Sequence, residues 1–326
     1  MPGYIQAALM PVSVQISLAP SDLPHAGAIL PHQLRTFAGQ AGEVLLTVDD
    51  RKGTAHGRFA DGWDERRPGL ERLLEQCAAE HPGVRIATVD YGEQAARAIA
   101  GRFFDGHELP AKDSRGGPFY SYFFGLHEAR HDLVMHMDSD MLFGGGSQTW
   151  LGEAAALLAE RDDVLAVNPI GGPPTDDEAR WRDPREPHPT LAFRCSSIST
   201  RLFMLDRAKL AARVGALPLR PPARLRSRAK ARMHGNPPFA LPEDLLTEAM
   251  HRAGMMRIDL LGAEPGLWAL HPPFRSERFY AELPDLVARI ERGDVPDAQR
   301  GDHELNDSMI DWADARAAFR RRRWVS

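Results

Sequence analysis

Residues 131–146 read HDLVMHMDSDMLFGGG, in which an apolar run leads into two aspartates and then into three glycines. The run over 133–137 is typical of a buried strand, and side chains alternate along a strand. We therefore expect Asp138 and Asp140 to lie on the same side of the chain where this strand ends. Two carboxylates before a glycine-rich turn suit a hard divalent cation that takes further oxygens from a diphosphate.

The segments around this strand alternate between short β-rich runs and runs with helical spacing. Strands are predicted over 12–18, 43–48, 84–89, 133–137, 164–167 and 257–261, with one or two more, antiparallel, within 191–205. Helices are predicted over 30–37, 69–79, 119–130, 150–161, 243–253 and 280–292, and a long loop over 168–189. This alternation predicts a mostly parallel α/β sheet with helices on both faces, and ligands bind at the carboxyl edge of such sheets.

The overall composition is that of a folded globular protein. The 326 residues are 43% hydrophobic and 26% charged, which allows one large domain or two small ones. A formal net charge of −5 argues against nucleic-acid binding by the chain as a whole. Two cysteines, Cys77 and Cys195, favour a reducing compartment, and no stretch approaches the roughly 20 apolar residues of a membrane span. We therefore expect a soluble, cytoplasmic protein without a transmembrane segment.

Basic residues are unevenly spread along the chain. Only four of the 40 are lysine, a skew that codon usage in a GC-rich genome can explain. However, residues 207–242 contain nine basic residues and no acidic one, and prolines predict a loop in the later part of this segment. We expect 220–232 to become ordered on a diphosphate donor or an acidic acceptor, because guanidinium groups suit bidentate contacts to phosphate. The alternative is a solvated loop without contact to substrate.

On these motifs the chain resembles the glycosyltransferases of the GT-A fold, especially glycosyltransferase family 2. The resemblance rests on a first strand that ends in a small-residue turn, on LLTVDD over 45–50, on FFGLHEARHDLVMHMDSDMLF over 123–143 and on LPEDLLTEAM over 241–250. It covers 12–170 clearly and 190–275 loosely. It implies a metal-dependent, inverting transfer of a sugar from a nucleoside-diphosphate sugar to the hydroxyl of a small-molecule or glycan acceptor.

The resemblance also implies a donor-binding role for residues that follow the first two strands. The turn beside the nucleotide would be formed by Ala19, Pro20 and Ser21. Asp49 or Asp50 would contact the base or ribose, and Arg115 would lie near the diphosphate. The distance in sequence from Asp50 to Asp138 is longer than is usual in the family, so the match at Arg115 is the loosest of these.

The remaining implied roles concern the metal and the acceptor. Asp138 and Ser139 would face the ribose, and the ligands of Mn²⁺ or Mg²⁺ would be Asp138, Asp140 and His271. Asp244, beside Glu243 at the start of a helix, matches the base of inverting members. A base within reach of the acceptor hydroxyl is a chemical requirement of the transfer, although an acidic pair also favours the start of any helix.

Three segments follow from this division of roles. We expect a nucleotide-sugar-binding half over 1–170, an acceptor-side half of the same domain with the base over 171–273, and a helical extension over 274–326. The fold expected is thus a GT-A type, Rossmann-like α/β sheet with a smaller β/helical acceptor part and a helical tail.

Three other functions remain open at this point. A nucleotidyltransferase would also hold Mg²⁺ on two acidic residues, although LAPSDLPHAG over 18–27 is not a convincing phosphate loop. A zinc hydrolase would use the HExxH match at His127, Glu128 and His131, with Glu153 as a further ligand. A module that binds acidic ligands would use the basic segment, and its binding would weaken with salt.

Overall fold

Residues 11–52 and 62–325 are described by the computed structural model, with side chains as far as Arg321. The strands of this part are β1 (Val12–Leu18), β2 (Glu43–Val48), β3 (Val84–Thr88), β4 (Leu133–Asp138), β5 (Leu142–Gly144), β6 (Val164–Gly171), β7 (Ala192–Cys195), β8 (Leu202–Asp206), β9 (Met256–Leu260) and β10 (Trp268–Leu270). Its α-helices are α1 (Leu23–Phe37), α2 (Trp63–Glu80), α3 (Glu93–Phe103), α4 (Tyr120–Glu128), α5 (Trp150–Glu160), α6 (Arg207–Lys209), α7 (Leu225–Met233), α8 (Pro242–Arg252), α9 (Glu277–Glu291) and α10 (Ala313–Val325).

These strands form one mixed sheet in the order β3-β2-β1-β4-β8-β6-β10-β5, with β9 beside β6 and β7 beside β9. The first four strands are parallel, and β8 is antiparallel to both of its neighbours. Ser17 pairs with Asp138 and Leu18 with Val48, so β1, β2 and β4 end at the same edge. The α/β fold class predicted from the sequence is confirmed.

The two faces of the central strands differ in polarity. Val14 and Ile16 point into the main hydrophobic core, whereas Gln15, between them in the sequence, is buried on the other face. There Gln15 donates to Thr47 Oγ1 at 2.6 Å and contacts His136 Nδ1. Helix α4 covers this polar face closely, because a side chain at Gly125 would meet the Gln15 amide at 2.7 Å. Strand β4 therefore carries buried polar groups towards its carboxyl end.

Most differences from the predicted elements are shifts of a few residues at their ends, but α1 begins seven residues and α2 six residues earlier than predicted. Strand β6 continues four residues further than predicted, to Gly171, and helix α3 was not predicted. The prediction of a loop in the later basic segment is wrong, since α7 lies between prolines 218–222 and 237–238. Its nine residues contain neither proline nor glycine, and leucine, arginine, lysine, alanine and methionine all favour helix.

The C-terminal segment packs against the first helix. His32 on α1 and Glu291 on α9 form a hydrogen bond of 2.8 Å, and His32 Nε2 accepts one of 2.9 Å from the Phe143 N–H. Because Nε2 accepts, Nδ1 carries the proton that is donated to Glu291. Burial lowers the pKa of His32, which keeps the ring neutral in this role. Over the described ranges, no helix is both long and apolar enough to cross a bilayer.

Candidate active site

The predicted donor residues gather at the carboxyl edge of the parallel strands. The turn after β1 is fixed by Asp22, whose Oδ2 accepts from the Ala19 N–H at 2.9 Å. Pro20, Ser21 and Asp22 form a single turn of 3₁₀ helix before α1. Asp49 follows β2 directly, and its N–H donates to the Leu18 carbonyl at 2.9 Å. Because β1 and β2 are parallel, the small-residue turn after β1 lies beside the acidic turn after β2.

The Asp138-Ser139-Asp140 triplet bends as it leaves the sheet. Strand β4 ends at Asp138, and the next two residues form a turn. The strand alternation used to predict a common side does not extend to Asp140. The side chain of Asp138 is 37% exposed, whereas that of Asp140 is 1% exposed. Ser139 is buried, with its Oγ 3.0 Å from His25 Nε2, so it lies inside the edge and not at its surface.

A pair of three-residue strands brings His271 to Asp140. Strand β10 pairs with β5 in an antiparallel register that sets Leu270 opposite Leu142. The residue after β10 therefore meets the residues before β5, and His271 Nε2 lies 3.5 Å from Asp140 Oδ2. The backbone of His271 is held on its other side by hydrogen bonds with His303 and Leu305. The approach of His271 to the triplet was predicted, but the two short strands that produce it were not.

Arg275 is the residue of this site that the sequence did not reveal. Its Nη2 and Nε donate to Asp140 Oδ2 at 2.6 and 3.0 Å, and its Nη1 lies 3.4 Å from Asp22 Oδ1. The guanidinium thus bridges the turns after β1 and β4. Although burial opposes ionisation of Asp140, Arg275 and His271 hold the pKa of that carboxyl well below its usual range. In a chain with many arginines, nothing local distinguishes Arg275 from the others.

Asp140 and His271 fit two of the ligands of a divalent cation. Asp140 Oδ1 is buried and has no hydrogen-bond partner among the described residues, and the same is true of His271 Nδ1. However, no three His, Cys, Asp or Glu side chains converge on one point anywhere in 11–52 or 62–325. The predicted set of Asp138, Asp140 and His271 is therefore not assembled as three ligands, because the turn separates Asp138 from the other two. A cation here would need further oxygens, which a diphosphate and water can supply.

Asp49 and Asp50, the predicted contacts to the base or ribose, both have protein partners. Asp49 is buried and accepts hydrogen bonds from Tyr91 Oη, Lys112 Nζ and the Arg51 N–H at 2.9, 2.9 and 3.1 Å. Asp50 forms an ion pair with Arg67. A small cleft of about 170 Å³ opens beside Asp50, and Pro20 also lines it. Since ligand pockets usually measure about 300 Å³ or more, this cleft has room for only part of a nucleotide.

The loop that carries Arg115 is rigid and reaches across to the second half of the chain. Asp113 Oδ1 accepts from the N–H groups of Arg115 and Gly117 at 2.7 and 3.0 Å, which closes a tight turn. Ser114 N–H donates to the Phe239 carbonyl at 2.9 Å. Burial raises the pKa of Asp113. The Arg115 side chain is exposed on this turn, so it is free to meet an anion.

Glu243 and Asp244 begin α8, after a proline at its first position. Asp244 is exposed, whereas Glu243 is half-buried. Burial and the charge of Asp244 raise the pKa of Glu243, and Arg115 and Arg201 partly oppose this shift. The structure therefore brings Arg115 within electrostatic reach of Glu243, and it distinguishes two neighbouring carboxyls that the sequence could not.

Tyr122 lies between the triplet and the start of α8. Its hydroxyl is fully buried and has no hydrogen-bond partner within the described ranges. Burial, followed by the charges of Asp138 and Glu243, raises the pKa of Tyr122 well above its usual value. Both carboxylates thus act electrostatically on one buried hydroxyl.

The zinc-hydrolase alternative does not fit the structure. Helix α4 ends at Glu128, so His127 and His131 are not on one continuous helical face, and His131 precedes β4 at the opposite edge of the sheet. Glu128 is engaged by Arg85 at 2.6 Å. Glu153, on α5, accepts a hydrogen bond of 2.7 Å from the Ala263 N–H. The HExxH match is therefore accidental in this fold.

Comparisons with known proteins give matches among solved structures only. No protein-family model matches the chain, and no curated protein matches it significantly. One similar structure is GalNAc-T7 with UDP, GalNAc and Mn²⁺, at 13% identity and a TM-score of 0.44 over 86% of this chain and 48% of that one. A second is residues 1–349 of TarS from S. aureus in complex with UDP-GlcNAc. It is 10% identical, with a TM-score of 0.42 over 83% of this chain and 61% of that one.

A third similar structure is the mannosyltransferase PcManGT from Pyrobaculum calidifontis in complex with GDP-Man and Mn²⁺. It is 18% identical, with a TM-score of 0.33 over 64% of this chain and 47% of that one. The chain spans about half to three fifths of the length of these three structures. The names of these three structures include UDP with GalNAc, UDP-GlcNAc or GDP-Man, and the assignment of this chain to glycosyltransferase family 2 stays a prediction.

Proposed function

We propose that the chain is a glycosyltransferase that moves a sugar from a nucleoside-diphosphate donor to an acceptor hydroxyl, with Mn²⁺ or Mg²⁺ at the diphosphate. The observation that carries this proposal is the cluster of Asp140, His271 and Arg275 at the carboxyl edge of the parallel strands. A buried carboxylate with one unpartnered oxygen, an imidazole and a guanidinium together suit a cation bound to an anion.

In this proposal the chain holds the donor at the turns after β1, β2 and β4. Asp140 and His271 would hold the cation, which would neutralise charge that develops on the leaving diphosphate. Arg115, exposed on a turn that Asp113 closes, would meet the diphosphate. Asp49 and Asp50 are the candidates for the base or ribose, although each must exchange or share its present partner, Lys112 or Arg67.

The proton of the acceptor hydroxyl would be removed by the pair Glu243 and Asp244, which makes inversion at the anomeric carbon the expected outcome. The resemblance assigns this role to Asp244. The raised pKa of Glu243 is the property that a general base working near neutral pH requires, and it supports a part for Glu243 as well. Substitution of each carboxyl by its amide separates the two roles.

The division of the chain follows from the same proposal. Residues 1–170 would bind the nucleotide sugar, 171–273 would contribute the acceptor side and the base, and 274–326 would form the helical extension. Strands β9 and β10 of the second segment complete the sheet of the first, which favours one domain with two functional halves. Cys77 and Cys195 are both buried and unpaired, which is consistent with the proposed cytoplasmic location.

The experiment that tests this function is calorimetric titration of the chain with UDP and GDP, with and without Mn²⁺. We expect metal-dependent binding of at least one of them. Asp140→Asn should abolish the dependence on Mn²⁺, whereas the control Asp285→Asn, at an exposed position of α9, should retain it. Binding that ignores the metal, or release of pyrophosphate from a nucleoside triphosphate, would point to another enzyme class.

A further inference from the structure

The nine basic residues of 207–242 separate into two groups in the structure. Those in the first group are held by other parts of the protein: Arg207 by the carbonyls of Leu126 and His131, Lys209 by that of Arg161, Arg213 by Asp162 and Arg220 by Glu248. These four side chains stabilise the packing of the segment against the sheet. Each of them thus already has a partner within the protein.

The second group lies on helix α7 or directly before it and faces solvent. Its members are Arg224, Arg226, Arg228, Lys230 and Arg232. Across the described residues, none of the five forms an ion pair, and the hydrogen bond that one of them makes runs from Arg228 Nε to the Pro222 carbonyl at 2.7 Å. At 1.5 Å per residue the helix is about 14 Å long, so five positive charges are concentrated on a short, acid-free surface.

Helix α7 also directs apolar side chains outward. Ala231 is fully buried and attaches the helix to the protein. At 100° per residue, Leu225, Ala229 and Met233 lie on the opposite side of the helix. Leu225 is 76% exposed and Met233 84% exposed, the highest values among large hydrophobic residues in the described part of the chain. The basic residues flank this apolar stripe on both sides.

The diphosphate or acidic-acceptor ligand expected for this segment stays a prediction. Within the described ranges, no hydrogen bond or ion pair links a side chain of α7 to the residues at the strand ends. The loop after α7 does reach the site, since Asn236 Nδ2 donates to the Ser114 carbonyl at 3.4 Å. Helix α7 therefore lies one loop away from the candidate active site, with its basic side chains in solvent.

We infer that α7 docks on the surface of an anionic lipid bilayer. Guanidinium groups pair with headgroup phosphates, and Leu225 and Met233 enter the boundary between headgroups and acyl chains. A water-soluble polyanion would satisfy the arginines but would leave both apolar side chains in water. The net charge of −5 for the whole chain does not favour such a surface, so the interaction depends on this helix. This inference is independent of glycosyl transfer.

The test is co-sedimentation of the full chain with vesicles of phosphatidylcholine alone and of phosphatidylcholine mixed three to one with phosphatidylglycerol. We expect binding only to the mixed vesicles. The triple variant Arg226→Gln, Lys230→Gln, Arg232→Gln should weaken it about a hundredfold, because each cation contributes roughly a fivefold factor near an anionic surface. Leu225→Ser with Met233→Ser should weaken it about tenfold through lost apolar burial.

A matched control removes the same charge elsewhere. The triple variant Arg72→Gln, Arg252→Gln, Arg292→Gln changes exposed positions away from α7 and should leave the affinity within about twofold. An equal loss in this control, or equal binding to vesicles of phosphatidylcholine alone, overturns the inference. So does a Leu225→Ser, Met233→Ser variant that binds the mixed vesicles normally, since the ligand would then be any polyanion. Self-association that disappears in this variant, without vesicle binding, would show that α7 joins two copies of the chain and would overturn it as well.

Discussion

Arg275 binds one oxygen of Asp140, the carboxylate that would also hold a divalent cation, and its removal should therefore have two opposite effects. Arg275→Gln deletes two hydrogen bonds of 2.6 and 3.0 Å to a carboxylate that is 1% exposed. Removal of one partner from a buried ion pair costs about 3–5 kcal/mol, and partial exposure of Arg275, 34%, reduces this to about 2 kcal/mol. In a chain of this size that loss lowers Tm by about 3 °C.

The second effect is on metal affinity. With Arg275 absent, Asp140 Oδ2 is available in addition to Oδ1, and a cation no longer binds beside a positive charge. A gain of about 2 kcal/mol corresponds to about thirtyfold tighter binding. We expect Arg275→Gln to unfold at lower temperature without metal, and Mn²⁺ to restore more stability to it than to the parent chain.

Differential scanning calorimetry and titration of Mn²⁺ by electron paramagnetic resonance, both without nucleotide, measure the two effects. Arg278→Gln is the control, because Arg278 lies on the same segment but forms only exposed ion pairs with Glu282 and Asp311. It should leave both the stability and the Mn²⁺ affinity unchanged. Unchanged or weaker Mn²⁺ binding in Arg275→Gln would refute the competition between arginine and metal.

Three further predictions concern the buried His32, the close approach of Gly144 to Trp268, and the carboxyls of Glu243 and Asp244. Burial lowers the pKa of His32, so below about pH 6.5 the unfolded chain binds a proton at this position that the folded chain does not bind, and the free energy of unfolding should fall as the pH falls. Urea unfolding of His32→Gln should show a smaller fall, and an unchanged one would exclude His32 as its source. Gly144→Ala sets a Cβ 2.0 Å from the Trp268 ring and should lower the free energy of unfolding by more than about 3 kcal/mol. Gly101→Ala, inside α3 with open space around it, should raise it by about 0.5 kcal/mol. Equal effects of the two variants in thermal unfolding would contradict this prediction. Glu243→Gln should remove the acid limb of the pH–rate profile if Glu243 is the base, and Asp244→Asn should do so in its place if the base is Asp244.

The long periodic elements could be predicted from the sequence, and the short ones could not. Strands β1 and β2 have the predicted boundaries, because apolar and β-branched runs bounded by turn residues are a strong signal. Strands β5 and β10 have three residues each, too few for any periodicity. The pairing of β5 with β10 brings His271 to Asp140, so the contact between these two residues depends on strands that could not be predicted from the sequence.

Side-chain partners were the other part that the sequence could not provide. The pattern of acidic residues at strand ends indicated the correct edge of the sheet, but it did not show that Asp140 would be buried and Asp138 exposed. Arg275 lies more than 130 residues from Asp140 in the chain, and a long-range ion pair leaves no local trace. Helix α7 was misread because prolines on both sides of it predicted a loop, although its own residues favour helix.

The charges at the carboxyl edge are arranged in pairs, and this arrangement has a consequence for ligand binding. Asp49 is paired with Lys112, Asp50 with Arg67, and Asp140 with Arg275. A metal ion alone would bind Asp140 beside the positive charge of Arg275, and a diphosphate alone must draw a cation away from its carboxylate. A metal–diphosphate complex brings both signs of charge at once, so it can replace each partner with another of the same sign.

Metal and nucleotide should therefore bind with strong mutual dependence. Coupling of this kind is commonly about 1–3 kcal/mol, so Mn²⁺ should tighten binding of the preferred nucleoside diphosphate about 5- to 150-fold. By linkage the nucleotide must tighten binding of Mn²⁺ by the same factor, and calorimetric titrations in both orders measure it. Arg275→Gln should reduce this factor, because the variant no longer needs the diphosphate to compensate a displaced guanidinium. A factor near one in the parent chain would mean that the charge pairs at this edge serve the fold and not the binding of a donor.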